Sequence, residues 1–405
     1  MMPFPPIPLL VTLTVAWASG TQPRSPAEPM VRIGLRVAEP EVEISAPGGL
    51  QLFDVLTGEP ISESPPAGVV RAYLERGSIR FDGAVAPPTR PTGPVRVEVQ
   101  AGGPLVVDGV AYRGRLELLA AADGGISAVN VLSLEEYLLG VVPLEIGPRT
   151  RTELAAVQAQ AIAARTYAVA HLGGHAELGF DLYGTVADQA YGGVDAERPE
   201  ATDGVRSTAG RILTYGGLPI RAYYHSTCGG STAAVDEVMD RPPAPYLRSV
   251  SDRAPDGSDW CSISPRYRWT GEWSREELNG QVLEEVARMF GSRASEAGPI
   301  EELVVLEQTG SGRVQSVAFR GPGSELVLER LDIRFALRDA EGRILGSTDF
   351  DVQSSPSGGI VIHGRGFGHG AGMCQWGAIA RARAGHSAEE ILATYYPGAV
   401  LTRVY

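Results

Sequence analysis

The first third of the chain is a series of short alternating runs. Val31 to Val37, Val42 to Ile44 and Val95 to Val99 each switch between apolar and polar at every step. Period two is the mark of strands with one buried face, and the Pro- and Gly-rich breaks between the runs predict short antiparallel strands. Residues 31–125 therefore read as a β-rich N-terminal region. Near Asn130 the period changes. Ser133 with Glu136 forms a capping box, opening a helix with Leu134, Tyr137, Leu138 and Val141 on one face. Pro143 and Gly147-Pro148 predict a loop there, with Glu145 inside it. A second capping box, Thr150 with Glu153, starts a long helix running to about His171. Its apolar stripe is Leu154, Val157, Ala161, Ala164 and Ala168, mostly alanine, so a neighbour must pack close against it.

Further on, residues 196–210 predict a short helix. Gly216-Gly217 predicts a hairpin between Arg211–Tyr215 and Ile220–Tyr224. Residues 274–292 form an amphipathic pattern, strands return from Leu303 to Ile362, and a helix follows from Ala378 to Ala384. No internal linker separates independent domains. The expected class is α+β: a mixed α/β core over 126–405, with a β-rich insertion around 300–360 and β-rich N-terminal and C-terminal portions.

Composition adds two constraints. A formal net charge of −13 over 405 residues argues against a general affinity for nucleic acid or anionic membrane, which needs a basic surface. Residues 7–18 form a short apolar run ending in Ala16-Trp17-Ala18, followed by a polar, Pro-rich stretch. This predicts a secretory signal peptide over 1–18 and a linker over 19–30, hence an exported protein, periplasmic or associated with the cell wall outside. The run is too short to span a bilayer, and no other segment is apolar enough, so no transmembrane segment is expected in the mature chain.

Candidate chemistry sits in three places. Glu145 lies between Leu144 and Ile146, and apolar neighbours raise a carboxyl pKa, as a general acid requires. His225 and Cys228 stand three residues apart, with Cys261 downstream. Zinc ligation, a Cys228–Cys261 disulfide and a Cys/His nucleophile pair all suit this set. The third place is Gly364–Ala378, where glycine recurs at every second position up to Gly372 around Phe367 and His369. So dense a glycine run is entropically costly and is tolerated where backbone approaches a ligand or another backbone closely. A histidine in such a place is most commonly fixed by backbone carbonyls.

These segments together resemble the SpoIID/LytB family. The resemblance is carried by Gly140–Ile146, Glu153–Ala168, Asp188–Tyr191, Tyr224–Gly230, Pro245–Val250, Gly364–Ala378 and Tyr395–Gly398, in family order. It implies a protein that binds or cleaves peptidoglycan. The implied activity is a lytic transglycosylase that cuts between N-acetylmuramic acid and N-acetylglucosamine in glycan stripped of peptide, leaving 1,6-anhydro ends. Glu145 matches the family acid/base. One carboxyl group suffices, because the muramic acid C6 hydroxyl is the nucleophile and water is not consumed. Gln158, Gln189 and Tyr191 are candidates for stabilising the oxocarbenium-like charge. Arg165, Tyr167, His369 and Gln375 join them as candidate substrate-binding residues. The resemblance also implies a structural zinc, with His225, Cys228 and Cys261 the matching positions. The other activity in the family implies a non-catalytic module that binds the wall and stimulates a partner amidase. Cys374 stands where relatives commonly have serine, a near-isosteric change to which no chemistry is attached.

Overall fold

In the computed structural model the described residues are 27–84, 93–291, 298–338, 341–355 and 358–405. The expected leader 1–18 and most of the linker 19–30 lie outside them. The chain is a mixed α+β protein, as its two periodicities require.

The strand Met30–Glu39 runs antiparallel to Ile126–Ser133 and parallel to Leu182–Tyr183 at the rim of a seven-stranded sheet. Ile126–Ser133 is buried along nearly its whole length, because strands cover one face and helices the other. A five-stranded sheet built on Glu41–Ser45 and Val69–Glu75 completes the N-terminal region. Val31, Ile33, Val42, Ile44, Leu50 and Leu52 belong to one core that continues into the helices.

That helical layer is centred on Leu154–Ala170. Ala161, Ala164 and Ala168 have no exposed surface, and the helices Leu134–Ile146, Pro199–Ser207, Gln375–Arg383 and Ala388–Tyr395 all pack against this one. A Cβ on Gly204 would meet Val157 Cγ1 at 2.6 Å, which is how close the alanine stripe lets a partner come. A second hydrophobic core is built by residues from Trp273 to Ile362, including Val282, Phe319, Ile333 and Phe350. Within it the antiparallel strands Arg268–Trp273, Ile360–Arg365 and Phe350–Ser354 form one sheet, and Glu302–Gln308, Val314–Gly321 and Ser324–Glu329 form another.

Two local expectations are corrected. The Gly216-Gly217 turn joins Arg211–Tyr215 to only Leu218–Pro219. Tyr224–His225 leaves that hairpin and pairs in parallel with Met373–Cys374. The helix Leu134–Ile146 also does not stop at Pro143. It continues for another turn and ends at Gly147, which has φ +71° and donates its N–H to Pro143 O at 3.1 Å. Proline forfeits one helical hydrogen bond, but Val141, Val142, Pro143 and Ile146 are buried and hold the last turn in place. Among the described residues no helix is long and apolar enough to cross a membrane.

Candidate functional site

Glu145 sits in the last turn of Leu134–Ile146, half-buried, at the point where three chain segments meet. Its Oε1 accepts the backbone N–H of Ala190 at 3.0 Å. The Gln375 and Tyr224 side chains lie beside the carboxyl group and favour its charged form. Burial dominates and pushes its pKa up to about 6, while the Ala190, Gln375 and Tyr224 donors pull the other way. The group is thus poised between acid and base near neutral pH.

The segment Asp188–Tyr191 is locked from both sides. Asp188 accepts Tyr167 OH at 2.9 Å and Tyr183 N–H at 2.8 Å. Gln189, with no exposed surface, accepts Tyr137 OH at 3.3 Å and donates to Tyr224 OH at 2.8 Å and Ala164 O at 3.3 Å. Tyr191 is buried; its hydroxyl donates to Asn130 Oδ1 at 3.1 Å and its ring packs on Tyr137 and Tyr112. A Cβ on Gly140 would strike the Tyr191 ring at 2.6 Å, so glycine in this helix is a requirement of packing.

The remaining candidates divide. Gln375 reaches Glu145 and donates to Gln160 Oε1 at 3.3 Å. Gln158 is not part of this network. It is partly exposed and donates to Ser207 Oγ at 3.1 Å, because two residues on a helix are about 200° apart. The buried partner is Gln160, which sequence reading missed although it lies three residues after Val157 on the same stripe. Arg165 has no exposed side-chain surface and is held by Glu135 through two bonds of 2.8 and 2.7 Å. It ties two helices together and is spent there. Tyr224 opens the motif Tyr224–Gly230 with nothing local to mark it as a site residue, and the structure puts its hydroxyl beside Glu145.

The glycine loop does not run as a regular strand. Gly366, Gly368, Gly370 and Gly372 all have positive φ. Cβ atoms on them would meet Thr227 O at 2.5 Å, His225 Cβ at 2.8 Å, Arg313 Cζ at 2.6 Å and Tyr223 O at 1.9 Å. For three of the four the close partner is the segment Tyr223–Cys228, with which Phe367 exchanges backbone hydrogen bonds at Thr227, and for Gly370 it is Arg313. His369 fastens the same contact. Its Nδ1 accepts Ala371 N–H at 3.1 Å, so Nε2 carries the proton to Tyr224 O at 2.9 Å. Burial lowers its pKa to about 3 and keeps it neutral.

His225 stands apart from the cysteines. Its Nδ1 lies 3.2 Å from Ala371 O, and its Nε2 has no hydrogen-bond partner. The expected set of His225, Cys228 and Cys261 is replaced by Cys228, Asp252, Cys261 and Cys374, all buried, with ligand atoms within 4.8 Å of one another. The reason is topological: Met373–Cys374 pairs with Tyr224–His225 and delivers Cys374 to the site. The three thiols are unbridged, and Cys228 and Cys261 sulfurs lie 3.5 Å apart. Cys228 N–H donates to Cys374 Sγ at 3.2 Å, and Arg381 pairs with Asp252 at 3.1 Å. Arg313, also fully buried, donates to Cys228 O at 2.9 Å, but its Nε and Nη1 have no partner. This cluster could hold a metal ion. Its donors are those zinc prefers, and a buried guanidinium with two unpartnered nitrogens beside it favours negative charge there.

Residues 122–215 match the family model described as stage II sporulation protein, and 257–372 match a domain of unknown function. The chain is 32% identical over 293 residues to an uncharacterised protein of Brachyspira hyodysenteriae, covering 72% of each chain. It is 30% identical over 286 residues to stage II sporulation protein D of Bacillus subtilis, covering 67% of this chain and 75% of that one. It is 28% identical over 301 residues to the amidase enhancer of Bacillus subtilis, covering 65% of this chain and 40% of that one.

Proposed function

This chain belongs to the SpoIID family, and on that premise we propose that it is an exported peptidoglycan lytic transglycosylase acting on peptide-stripped glycan. The names of its relatives, a sporulation protein and an amidase enhancer, support a role at the cell wall. The observation that carries the catalytic reading is Glu145: a half-buried carboxyl raised to about 6, bonded by Ala190 N–H, with Gln375 and Tyr224 beside it.

The chemistry follows from that placement. Protonated Glu145 gives its proton to the glycosidic oxygen as the bond from the muramic acid C1 breaks. The resulting carboxylate is stabilised by Ala190 N–H, Gln375 and Tyr224. It then removes the proton from the C6 hydroxyl of the same sugar, whose oxygen closes on C1. The 1,6-anhydro ring forms, Glu145 regains its proton, and no water enters. Gln189 acts one step back, by orienting Tyr224.

Digestion of peptide-free glycan by wild type and Glu145→Gln, read by mass spectrometry, tests this. Anhydro ends from wild type alone support it; intact glycan in both overturns it. The relative named amidase enhancer favours a second reading, a non-catalytic module that stimulates a partner cell-wall amidase. That reading expects intact glycan and faster amidase turnover.

Export rests on the apolar run at 7–18 and its Ala-x-Ala end; N-terminal sequencing of secreted protein should start near Ser19. The metal is proposed to be a structural zinc on Cys228, Cys261, Cys374 and Asp252. Three thiolates, a carboxylate and a divalent ion leave two negative charges, and two buried guanidinium groups, Arg313 and Arg381, face them. A full set of four protein ligands leaves no open position, so the ion's part is to pin the loops together.

A further inference from the structure

The strand Arg268–Trp273, in the span matched to a domain of unknown function, is the edge of its sheet: it pairs with Ile360–Arg365 on one side and with no described strand on the other. Gly366 N–H donates to Tyr267 O at 2.9 Å, and Arg365 N–H turns the opposite way, to Asp349 O at 2.8 Å. Direction alternates along an antiparallel ladder, so Tyr267, Trp269, Gly271 and Trp273 face the sheet, while Arg268, Thr270 and Glu272 present their N–H and C=O to the outside. Among the described residues none of those outward backbone groups has a hydrogen-bond partner. A groove of about 230 Å³ lies against residues 268–271, walled by residues 343–346, so packed chain does not cover this stretch.

Natural edges are blunted by proline, a bulge or a charge pointing into the core face. Arg268–Trp273 has no proline, its register against Ile360–Arg365 has no shift, and its core face is Trp269, Gly271 and Trp273. The other face carries Arg268, Thr270 and Glu272, all exposed. The Arg268 guanidinium lies over the Tyr267 ring and Glu272 accepts Ser355 Oγ at 3.5 Å; neither forms an ion pair with another described residue. This pattern is self-complementary. Laid antiparallel on a second copy about a two-fold axis at Thr270, the strand sets each Arg268 opposite the partner's Glu272 and Thr270 opposite the partner's Thr270, with every outward backbone group facing another. An axis at Gly271 overlaps as much of the strand but sets Arg268 opposite the partner's Ser274. An axis at Arg268 or Glu272 sets like charges together. Opposite charges and paired threonines are favourable cross-strand neighbours, and like charges are not.

We propose that two copies of this chain associate by pairing Arg268–Trp273 edge to edge about a two-fold axis at Thr270, which joins their sheets into one. One strand pair is smaller than the roughly 1,200–2,000 Å² of a stable interface, so the dimer is weak and depends on concentration. The pairing is independent of the chemistry at Glu145. Sedimentation equilibrium of the full chain over a concentration series tests it. Wild type should dimerise as concentration rises, and Thr270→Pro, which removes the central outward N–H, should stay monomeric. Arg268→Glu and Glu272→Arg should each weaken the dimer about tenfold, because both cross-strand charge pairs turn repulsive. Mixed in equal amounts, these two variants should recover association as a heterodimer, since each pair is again opposite in sign. A wild type that is monomeric at every concentration, or a dimer that either charge substitution leaves intact, overturns the proposal. Weakened single variants that do not recover on mixing overturn it too, because Arg268 and Glu272 are then not opposed.

Discussion

Oε1 of Glu145 lies 3.0 Å from the backbone nitrogen of Ala190, joining the end of a buried helix to a segment 45 residues on. That bond, with Gln375 and Tyr224 beside it, holds in one place a carboxyl whose pKa burial raises to about 6, unlike a surface glutamate.

Glu145→Gln should lower glycan cleavage by on the order of a hundredfold or more, since it removes a positioned general acid. Wild-type activity should fall as pH rises through about 6, where Glu145 loses its proton. Glutamine keeps the size of the side chain, so a far-ultraviolet circular dichroism spectrum should be unchanged. Full activity in the variant would remove Glu145 from the mechanism.

The same shift affects stability, with a sign that can be checked. The folded pKa of about 6 stands above the ordinary 4.5, so the native state binds the proton more tightly than the unfolded state does. Ionisation therefore costs stability as pH rises from about 4.5 through 6, and the cost persists above. Glu145→Gln should raise unfolding free energy at pH 7 by at most about 2 kcal/mol and change nothing at pH 4. Urea titrations at the two pH values measure it.

Arg165→Met should destabilise the protein by roughly 3–5 kcal/mol, because Glu135 would lose a bidentate partner inside the fold. The loss should appear in denaturant midpoint. Replacing Glu135 as well should recover part of it, since the stranded charge is then gone.

Metal analysis of protein purified without chelator should find about one zinc per chain. Cys374→Ala and Asp252→Asn should each reduce the metal content, and His225→Ala should not. Retention of metal by Cys374→Ala together with loss in His225→Ala would restore the set implied by resemblance.

Gly372→Ala should be among the most damaging small substitutions. Its φ is +72°, and the added Cβ would meet Tyr223 O at 1.9 Å. Backbone strain alone costs about 1–3 kcal/mol, and displacement of Tyr223 would also disturb Tyr224 beside Glu145. Gly385→Ala, with φ +92° but open space around it, should cost less; the thermal midpoints compare them.

Much of this protein was legible in local pattern. Both helix starts form, each with half of its expected box: Ser133 Oγ accepts the Glu136 N–H and Glu153 Oε2 accepts the Thr150 N–H, because capping is settled within four residues. The alanine stripe on Leu154–Ala170 foretold a close-packed helix, since burial follows helical period. The alternating glycines foretold close backbone approach, which holds at Tyr223–Cys228. Only tertiary structure decided which partner came close. Tyr224–His225 left its predicted hairpin to pair with Met373–Cys374, and that one long-range pairing brought Cys374 to Cys228 and Gln375 to Glu145. It also left His225 outside the cluster. Pro143 stayed helical for the same reason: burial of Val141, Val142 and Ile146 outweighed a local propensity. Sequence specifies what each residue can do along its own element, whereas contacts between distant segments follow from the packing of the whole core, which no local period encodes.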